Sequence, residues 1–224
     1  MNKTTSYTLN RTSLDGDPLW HVEITVGLAL LLQLLLPDKF VAGPRYALPL
    51  LEALLLISLY LTSKHKVLTN PVLRHINSLT LVVFIGIANI FALQQLAHIL
   101  LIGGHVDDGH GLILTAMNIF LTNVIVFGLL YWEIDAGGPA KRTTQNLRER
   151  DFSFPQMQNP ELSPIGWLPN FVDYIYLSLT NATAFSPTDT MPLTRLAKLL
   201  MGVQSLVSLA AIALVASRAV NILK

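Results

Sequence analysis

Cysteine is missing from this sequence, and charged residues are scarce. Without cysteine the chain has no disulfides, no thiolate metal ligands and no thiol nucleophile. Charged residues make up 13% of its 224 residues. An average soluble domain has roughly 25%, so this chain has too few charges to coat a globule of its size. The formal net charge of +1 provides no basic field, and we expect no nucleic-acid partner.

Enzyme motifs are missing as well. The sequence has no Gly-x-Ser-x-Gly, no His-Glu-x-x-His and no phosphate-binding Gly-Lys-Ser/Thr loop. The stretch from Gly103 to His110 concentrates His and Asp, which suits a metal. With no further ligand cluster nearby, we interpret it as a glycine-flexed solvated turn. We therefore expect no enzymatic activity, no metal site and no cofactor.

Hydrophobic residues, in contrast, make up 52% of the chain and are grouped into long runs. A spanning helix needs about 20 such residues. The sequence therefore predicts a helical integral membrane protein, with the lipid bilayer as its first partner, in a bacterial inner (plasma) membrane. The polar N-terminal arm has no signal-cleavage site after the first apolar run, so we expect the first helix to remain as an anchor.

Four parts follow from the distribution of apolar runs. They are a polar arm (1–18), a four-helix transmembrane region (19–132), a hydrophilic connection (133–170) and a last unit of short helix, turn and final span (171–224). The short helix, 171–185, would be roughly 22 Å long, against a hydrocarbon core of ~30 Å. We therefore predict an all-α protein with five spanning helices plus one short re-entrant half-helix. The alternative is six spanning helices.

The last unit contains the stretch FVDYIYLSLTNATAFSPTDTMPLTRLAK, residues 171–198. It resembles the pore loop of tetrameric potassium channels, whose pattern is roughly Y-x-S-x-x-T-x-T-T-V-G-Y-G-D-x-x-P-x-T-x-R. The matching positions are Tyr176, Ser178, Thr183, Asp189, Pro192, Thr194 and Arg195. The resemblance implies a homo-oligomer, a tetramer by analogy, around a path for monovalent cations.

The selectivity filter of that family is replaced. Where the family has T-V-G-Y-G, this chain has Ala184, Phe185, Ser186, Pro187 and Thr188. A potassium filter needs glycines at positive φ, whereas proline is fixed near φ of about −65°. We therefore expect weak cation preference rather than potassium selectivity. The filter-like residues in this interpretation are Thr183, Ala184, Phe185, Ser186, Pro187, Thr188 and Asp189.

Asp189 has two compatible roles. In an oligomer, a ring of Asp189 side chains would favour cations by its field. Alternatively, Asp189 and Thr190 cap a helix that begins at Pro192. Further along that helix, one face presents the predicted inner-helix lining, which is Lys198, Met201, Ser205 and Ser208.

Three further polar residues lie in or near predicted apolar segments: Glu52, His98 and Asp173. A carboxylate at the depth of Glu52 should face the bundle interior, be paired or be protonated. His98 lies one turn from Gln94, and the two can line a wet path. We favour hydrogen bonds to a neighbouring helix for them.

Three functions stay open at this point. The first is a weakly selective or cation-preferring ion channel. The second is a non-conducting scaffold or regulatory membrane protein, since Phe185 and Pro187 can plug a narrow axis. The third is a small proton-coupled transporter using Glu52, His98 and Asp173, against which the lack of a visible inverted repeat argues.

Charge and resemblance give opposite orientations. If the first four spans alternate, most of the 15 Lys and Arg residues lie on the N-terminal side. Cytoplasmic loops carry the excess of basic residues, so this distribution puts the N-terminus inside. A potassium-channel pore loop enters from outside, which would put the N-terminus outside. The sequence leaves both orientations open.

Overall fold

The computed structural model describes residues 20–41, 43–64, 71–102, 109–142, 150–159, 161, 163–164, 167–183 and 190–222. The helices are α1 (Trp20–Leu34), α2 (Ala47–Lys64), α3 (Pro71–Ile102), α4 (Gly109–Ile134), α5 (Pro139–Arg142), α6 (Pro155–Gln158), α7 (Phe171–Ala182) and α8 (Arg195–Ile222). Two short strands, β1 (Phe152–Ser153) and β2 (Met191–Pro192), form an antiparallel pair. Turns of 3₁₀ helix follow α1 at Asp38–Phe40 and α4 at Asp135–Gly137.

Among the described residues, three helices are long and apolar enough to cross a membrane. They comprise Arg74–Leu101 in α3, Gly111–Gly137 at α4 and Arg195–Ser217 in α8. Shorter apolar stretches occur in α1 and α2, at His21–Leu34 and Pro49–Ser58. The predicted helical class is therefore confirmed, and three of the described helices are compatible with a membrane span.

Helix α4 lies at the centre of the molecule. It packs against α1, α3, α7 and α8. The share of buried residues in its apolar stretch is 67%, compared with 44% for α3 and 22% for α8. Helix α8 therefore lies at the surface of the single chain, with a broad apolar face uncovered.

Consecutive long helices run in opposite directions. At one end of the bundle, His75 near the start of α3 meets Glu133 near the end of α4, with Nδ1 and Oε2 2.7 Å apart. Towards the opposite end, Asn118 of α4 donates to the carbonyl of Leu32 in α1 at 2.7 Å. We call the first end the Asp135 end. The second, where Phe40 packs beneath α3 and α4, is called the Phe40 end.

The chain turns sharply after α4. Ala136, Gly137 and Gly138 have φ values of 55°, 74° and 101°, which is the left-handed region. A Cβ at Gly138 would also lie 2.9 Å from Nδ1 of His75, so this position has room for glycine alone. The reversal directs the hydrophilic connection back onto the Asp135 end of the bundle.

Strand β2 fixes the start of α8 at the Asp135 end. Phe152 is paired with Pro192, and the amide of Leu193 donates to the carbonyl of Asp151 at 2.8 Å. The hydroxyl of Thr194 accepts from the amide of Ala197 at 3.2 Å, the bond of a helix N-cap. The sequence predicted a helix starting at Pro192, which is wrong. Pro192 is in β2, α8 begins at Arg195, and Thr194 supplies the cap.

Candidate functional site around the short helix

Helix α7 begins with a reciprocal capping box. The amide of Val172 donates to Oδ1 of Asn170 at 2.9 Å, and the amide of Asn170 donates to Oδ2 of Asp173 at 2.7 Å. These bonds satisfy amides that have no partner within the helix. Asp173, predicted as an intramembrane polar residue, is therefore part of this cap.

Helix α7 packs closely against α4 through Gly128. A Cβ at that position would lie 2.5 Å from Cδ1 of Ile175 and 3.2 Å from its Cα. The buried face of α7 comprises Phe171, Tyr174, Leu177, Ser178 and Ala182. The opposite face is exposed and apolar, with Val172, Tyr176 and Leu179 on it.

Gln204 of α8 is the centre of a buried polar cluster. Its Oε1 accepts from the hydroxyl of Tyr131 at 2.6 Å and from Nδ2 of Asn181 at 2.8 Å. Its Nε2 donates to the hydroxyl of Ser178 at 2.6 Å and to the Ser178 carbonyl at 2.9 Å. The Ser178 hydroxyl in turn donates to the carbonyl of Val124 at 2.7 Å. This Gln204 cluster joins α4, α7 and α8.

The same seam includes part of the predicted inner-helix lining. Asn123 donates to the hydroxyl of Ser208 at 2.7 Å, and the carbonyl of Met201 accepts from Asn181 at 3.0 Å. Met201 and Ser208 are buried inside the chain, Ser205 is half-buried and Lys198 is exposed. Their role in lining an axis stays a prediction. Gln204 was not predicted, although a glutamine amid the apolar run of α8 was a signal for it.

A charged cluster closes the Asp135 end. Asp135 is fully buried, and its Oδ2 accepts from the hydroxyl of Tyr174 at 2.6 Å. Its Oδ1 accepts from the amides of Asp151 and Phe152, at 2.8 and 3.3 Å. One residue at the end of α4 therefore binds both α7 and the returning connection.

Two buried arginines flank this carboxylate. Nε of Arg142 and Nη1 of Arg150 lie 3.8 and 3.7 Å from Oδ2 of Asp135. The Arg142 guanidinium also donates to the carbonyl of Trp132 and lies 4.6 Å from the ring centroid of Tyr174. The two basic groups neutralise Asp135 and hold the connection against the bundle.

Aromatic packing extends this contact. The ring of Phe152 lies 5.1 Å from that of Tyr131, and Phe154 lies 5.3 Å from Tyr174 and 6.0 Å from Trp167. Phe152 and Phe154 are buried. The described part of the hydrophilic connection therefore packs onto the end of the helices.

The filter-like turn itself, Ala184 to Asp189, lies outside the described residues. Thr183, at its start, turns its hydroxyl to its own helix and bonds the carbonyls of Leu179 and Thr180 at 3.0 and 3.2 Å. On the far side of the turn, Thr190 is buried.

The three polar residues assigned to a carrier do not form one site. Glu52 is fully buried and meets Gln33 of α1. With its nitrogen turned to the carboxylate, the Gln33 amide donates to Oε2 at 2.6 Å and to Oε1 at 3.2 Å. His98 is exposed on α3, and Asp173 caps α7.

Within the described residues, no group of three or more acidic or His side chains suits a metal ion, and 103–108 lies outside them.

Comparison with known proteins adds no relative. No protein-family model, curated protein or solved structure matches this chain. The resemblance of 171–198 to potassium-channel pore loops therefore stays a prediction from the sequence.

Proposed function

We propose that this protein is a channel-like membrane protein in which α7 is a re-entrant half-helix. In this proposal α3, α4 and α8 span a plasma membrane, and α1 and α2, whose apolar stretches are shorter, complete the five predicted spans. Helices α4, α7 and α8 form the unit that a homo-oligomer, a tetramer by analogy, arranges around a path for monovalent cations. The observation that carries the proposal is that α7 and α8 both begin at the Asp135 end.

The contacts along α7 and α8 give their directions. Near the start of α7, Tyr174 binds Asp135. One to two turns later, Ser178 and Asn181 both bind Gln204, which is well inside α8. Both helices thus run away from the Asp135 end, and the chain returns to that end at Met191 in β2. Two successive helices that begin at the same end of the bundle support a re-entrant segment at α7.

The length of α7 and its contacts with α4 and α8 agree with a re-entrant helix. Helix α7 has 12 residues, or about 18 Å at 1.5 Å per residue, which is short for a hydrocarbon core of ~30 Å. Non-helical backbone at membrane depth is tolerated where protein covers it. The end of α7 is covered by α4 and α8 through the Gln204 cluster, and its apolar outer face suits lipid or a neighbouring subunit.

Labelling of single cysteines tests the re-entrant helix, because the chain has no cysteine of its own. Variants Asn159→Cys, Met191→Cys and Tyr46→Cys place exposed thiols before α7, after α7 and near the Phe40 end. We expect an impermeant maleimide to label Asn159→Cys and Met191→Cys from one side of membrane vesicles and Tyr46→Cys from the other. If Met191→Cys is labelled together with Tyr46→Cys, α7 crosses the membrane and the proposal fails.

Recordings in planar bilayers test conduction. We expect purified protein to give unitary currents that prefer cations, and Asp189→Asn to reduce that preference. Asp38→Asn is the matched control, because Asp38 is an exposed acid paired with Arg45 at the Phe40 end. A lack of currents under any monovalent gradient would remove conduction from the proposal.

One observation favours a non-conducting scaffold as the second candidate. The uncovered face of α8 is apolar, with Leu199, Leu206 and Leu209 at least 62% exposed in the single chain. Ser178 and Asn181 of α7 and Gln204 and Ser208 of α8 are meanwhile bonded inside the chain. Such a face suits dry contact between subunits or lipid. Silent recordings together with a stable homo-oligomer in detergent would select this candidate.

A further inference from the structure

The uncovered face of α8 has two basic residues at its Asp135 end. Arg195 and Lys198 are both exposed, and their spacing of three residues puts them on the same side of the first turn. Among the described residues, neither is in an ion pair. Asp151, which reaches the start of α8, bonds the hydroxyl of Thr194 instead, at 2.5 Å. The helix dipole favours cations at the end of a helix rather than at its start, so α8 does not balance these charges either.

One turn further along the same face lies Gly202, which is exposed. Glycine inside a helix costs roughly 1 kcal/mol relative to alanine. Gly128 makes room for Ile175 of α7, whereas nothing inside the chain lies within 4 Å of a Cβ at Gly202. The missing side chain leaves a shallow groove between Lys198 and Leu206, which lie one turn before and one turn after it. Packing within the described chain does not account for this groove.

The rest of this face is a strip of exposed leucines, which includes Leu199, Leu206 and Leu209. Between Lys198 and Leu209 the helix rises about 16 Å at 1.5 Å per residue. One leaflet of a hydrocarbon core of ~30 Å is about 15 Å thick. The strip therefore matches the depth of one leaflet, with the two basic residues where the headgroups lie.

We propose that this face of α8 binds one anionic phospholipid, with its phosphate on Arg195 and Lys198 and an acyl chain in the groove at Gly202. The phosphate supplies the negative charge that the two basic residues lack, and both side chains bind phosphate through charge-assisted hydrogen bonds. A second copy of the chain, rotated about the membrane normal, would instead bring its own two basic residues to the same depth. Lipid binding does not depend on conduction through an oligomer, and it places Lys198 against lipid rather than on the lining of an axis.

Native mass spectrometry of the purified full-length chain in detergent, with lipid added, tests this site. We expect one molecule of dioleoyl phosphatidylglycerol, which is anionic, to bind per chain. Its affinity should be about tenfold higher than that of dioleoyl phosphatidylcholine, which has the same acyl chains and a zwitterionic headgroup. Arg195→Gln combined with Lys198→Gln should remove this preference. Lys39→Gln combined with Arg45→Gln is the matched control, because it removes two exposed basic residues at the Phe40 end, and it should leave the preference unchanged.

Gly202→Leu tests the groove, because it fills the space in which the acyl chain would lie. Gly27→Leu is its matched control, since Gly27 of α1 also has nothing within 4 Å of an added Cβ. Gly202→Leu should weaken the binding of phosphatidylglycerol about tenfold, whereas Gly27→Leu should bind it as the unmodified chain does. If the double variant in α8 does not fold, the two glycine variants decide alone.

Three results would overturn the proposal. The first is equal affinity of the unmodified chain for the two lipids. The second is an equal loss of preference in the two double variants, which would show general attraction to positive charge. The third is a change of oligomeric state in Gly202→Leu with an unchanged lipid preference, which would assign this face to a second copy of the chain.

Discussion

Gln204 shows how one side chain holds three helices together. Its amide oxygen accepts from Tyr131 of α4 and Asn181 of α7, and its amide nitrogen donates to Ser178 of α7. A buried amide of this kind cannot be exchanged for an apolar residue without leaving its partners unsatisfied. Loss of the Gln204 amide would therefore remove hydrogen bonds from Tyr131, Ser178 and Asn181 together, whereas loss of one partner would remove only part of the bonds of Gln204.

Gln204→Leu should destabilise the protein by about 2 kcal/mol, because it leaves buried polar groups of Tyr131, Ser178 and Asn181 without their partner. Thermal unfolding in detergent, followed by circular dichroism, measures this loss. Gln94→Leu is the matched control, since Gln94 is exposed on α3. Equal stability of the two variants would show that the cluster contributes nothing.

Gly128 and Gly202 form a second matched pair. A Cβ at Gly128 meets Ile175, whereas nothing lies within 4 Å of a Cβ at Gly202. Alanine is the better helix former, so Gly202→Ala should be neutral or stabilising by up to about 1 kcal/mol. Gly128→Ala should instead destabilise by about 1–3 kcal/mol through overpacking. Unfolding temperatures of both variants check the difference.

Adding Ile175→Val tests the cause of that loss. This change removes Cδ1, the atom nearest to the new Cβ. Because the two positions are in contact, the double variant should recover part of the stability lost in Gly128→Ala. Additive losses would mean that the contact between α4 and α7 is not the reason.

At the scale of elements, α7 depends on its cap. A helix of 12 residues is marginal without packing, and its first turn is held by Asn170 and Asp173. Asn170→Ala should cost about 1 kcal/mol, whereas Asn170→Asp keeps the accepting oxygen and should cost little. Hydrogen exchange of the α7 amides measures the effect. Faster exchange in both variants alike would contradict a role of the cap.

The elements were largely predictable from the sequence. Runs of apolar residues predicted four helices within 19–132, and α1, α2, α3 and α4 lie there, with α4 continuing only to Ile134. Hydrophobicity is a local property, so it locates helices well. The start of α8 was missed because the pairing of Pro192 with Phe152 joins residues far apart in the sequence.

The contacts within the site were less predictable for the same reason. Asp135 was not predicted as a site residue. Its carboxylate nevertheless accepts from the hydroxyl of Tyr174 and from the amides of Asp151 and Phe152. Nothing in the local pattern near Asp135 indicates these partners. Because charged residues are rare within apolar runs, the sequence did indicate that Glu52 needs a partner. It did not indicate that this partner is Gln33.

At the scale of the whole molecule, basic residues are unevenly divided. The described residues place several near the Asp135 end, while the Phe40 end has Lys39 and Arg45 in its turn. Those near the Asp135 end are Arg74, Lys141, Arg142, Arg150, Arg195 and Lys198. Because cytoplasmic segments carry the excess of Lys and Arg, this distribution predicts that the Asp135 end lies in the cytoplasm.

Labelling in intact cells tests this orientation. Lys141→Cys, at an exposed position near the Asp135 end, should be protected from an impermeant maleimide in intact cells and labelled in inverted vesicles. Tyr46→Cys should show the reverse. With this outcome α7 would enter the membrane from the cytoplasm, which is opposite to a potassium-channel pore loop. The likeness in sequence would then reflect the needs of a short helix covered by protein rather than common descent. Labelling of Lys141→Cys in intact cells would contradict the orientation predicted from the basic residues and would support that of a potassium-channel pore loop.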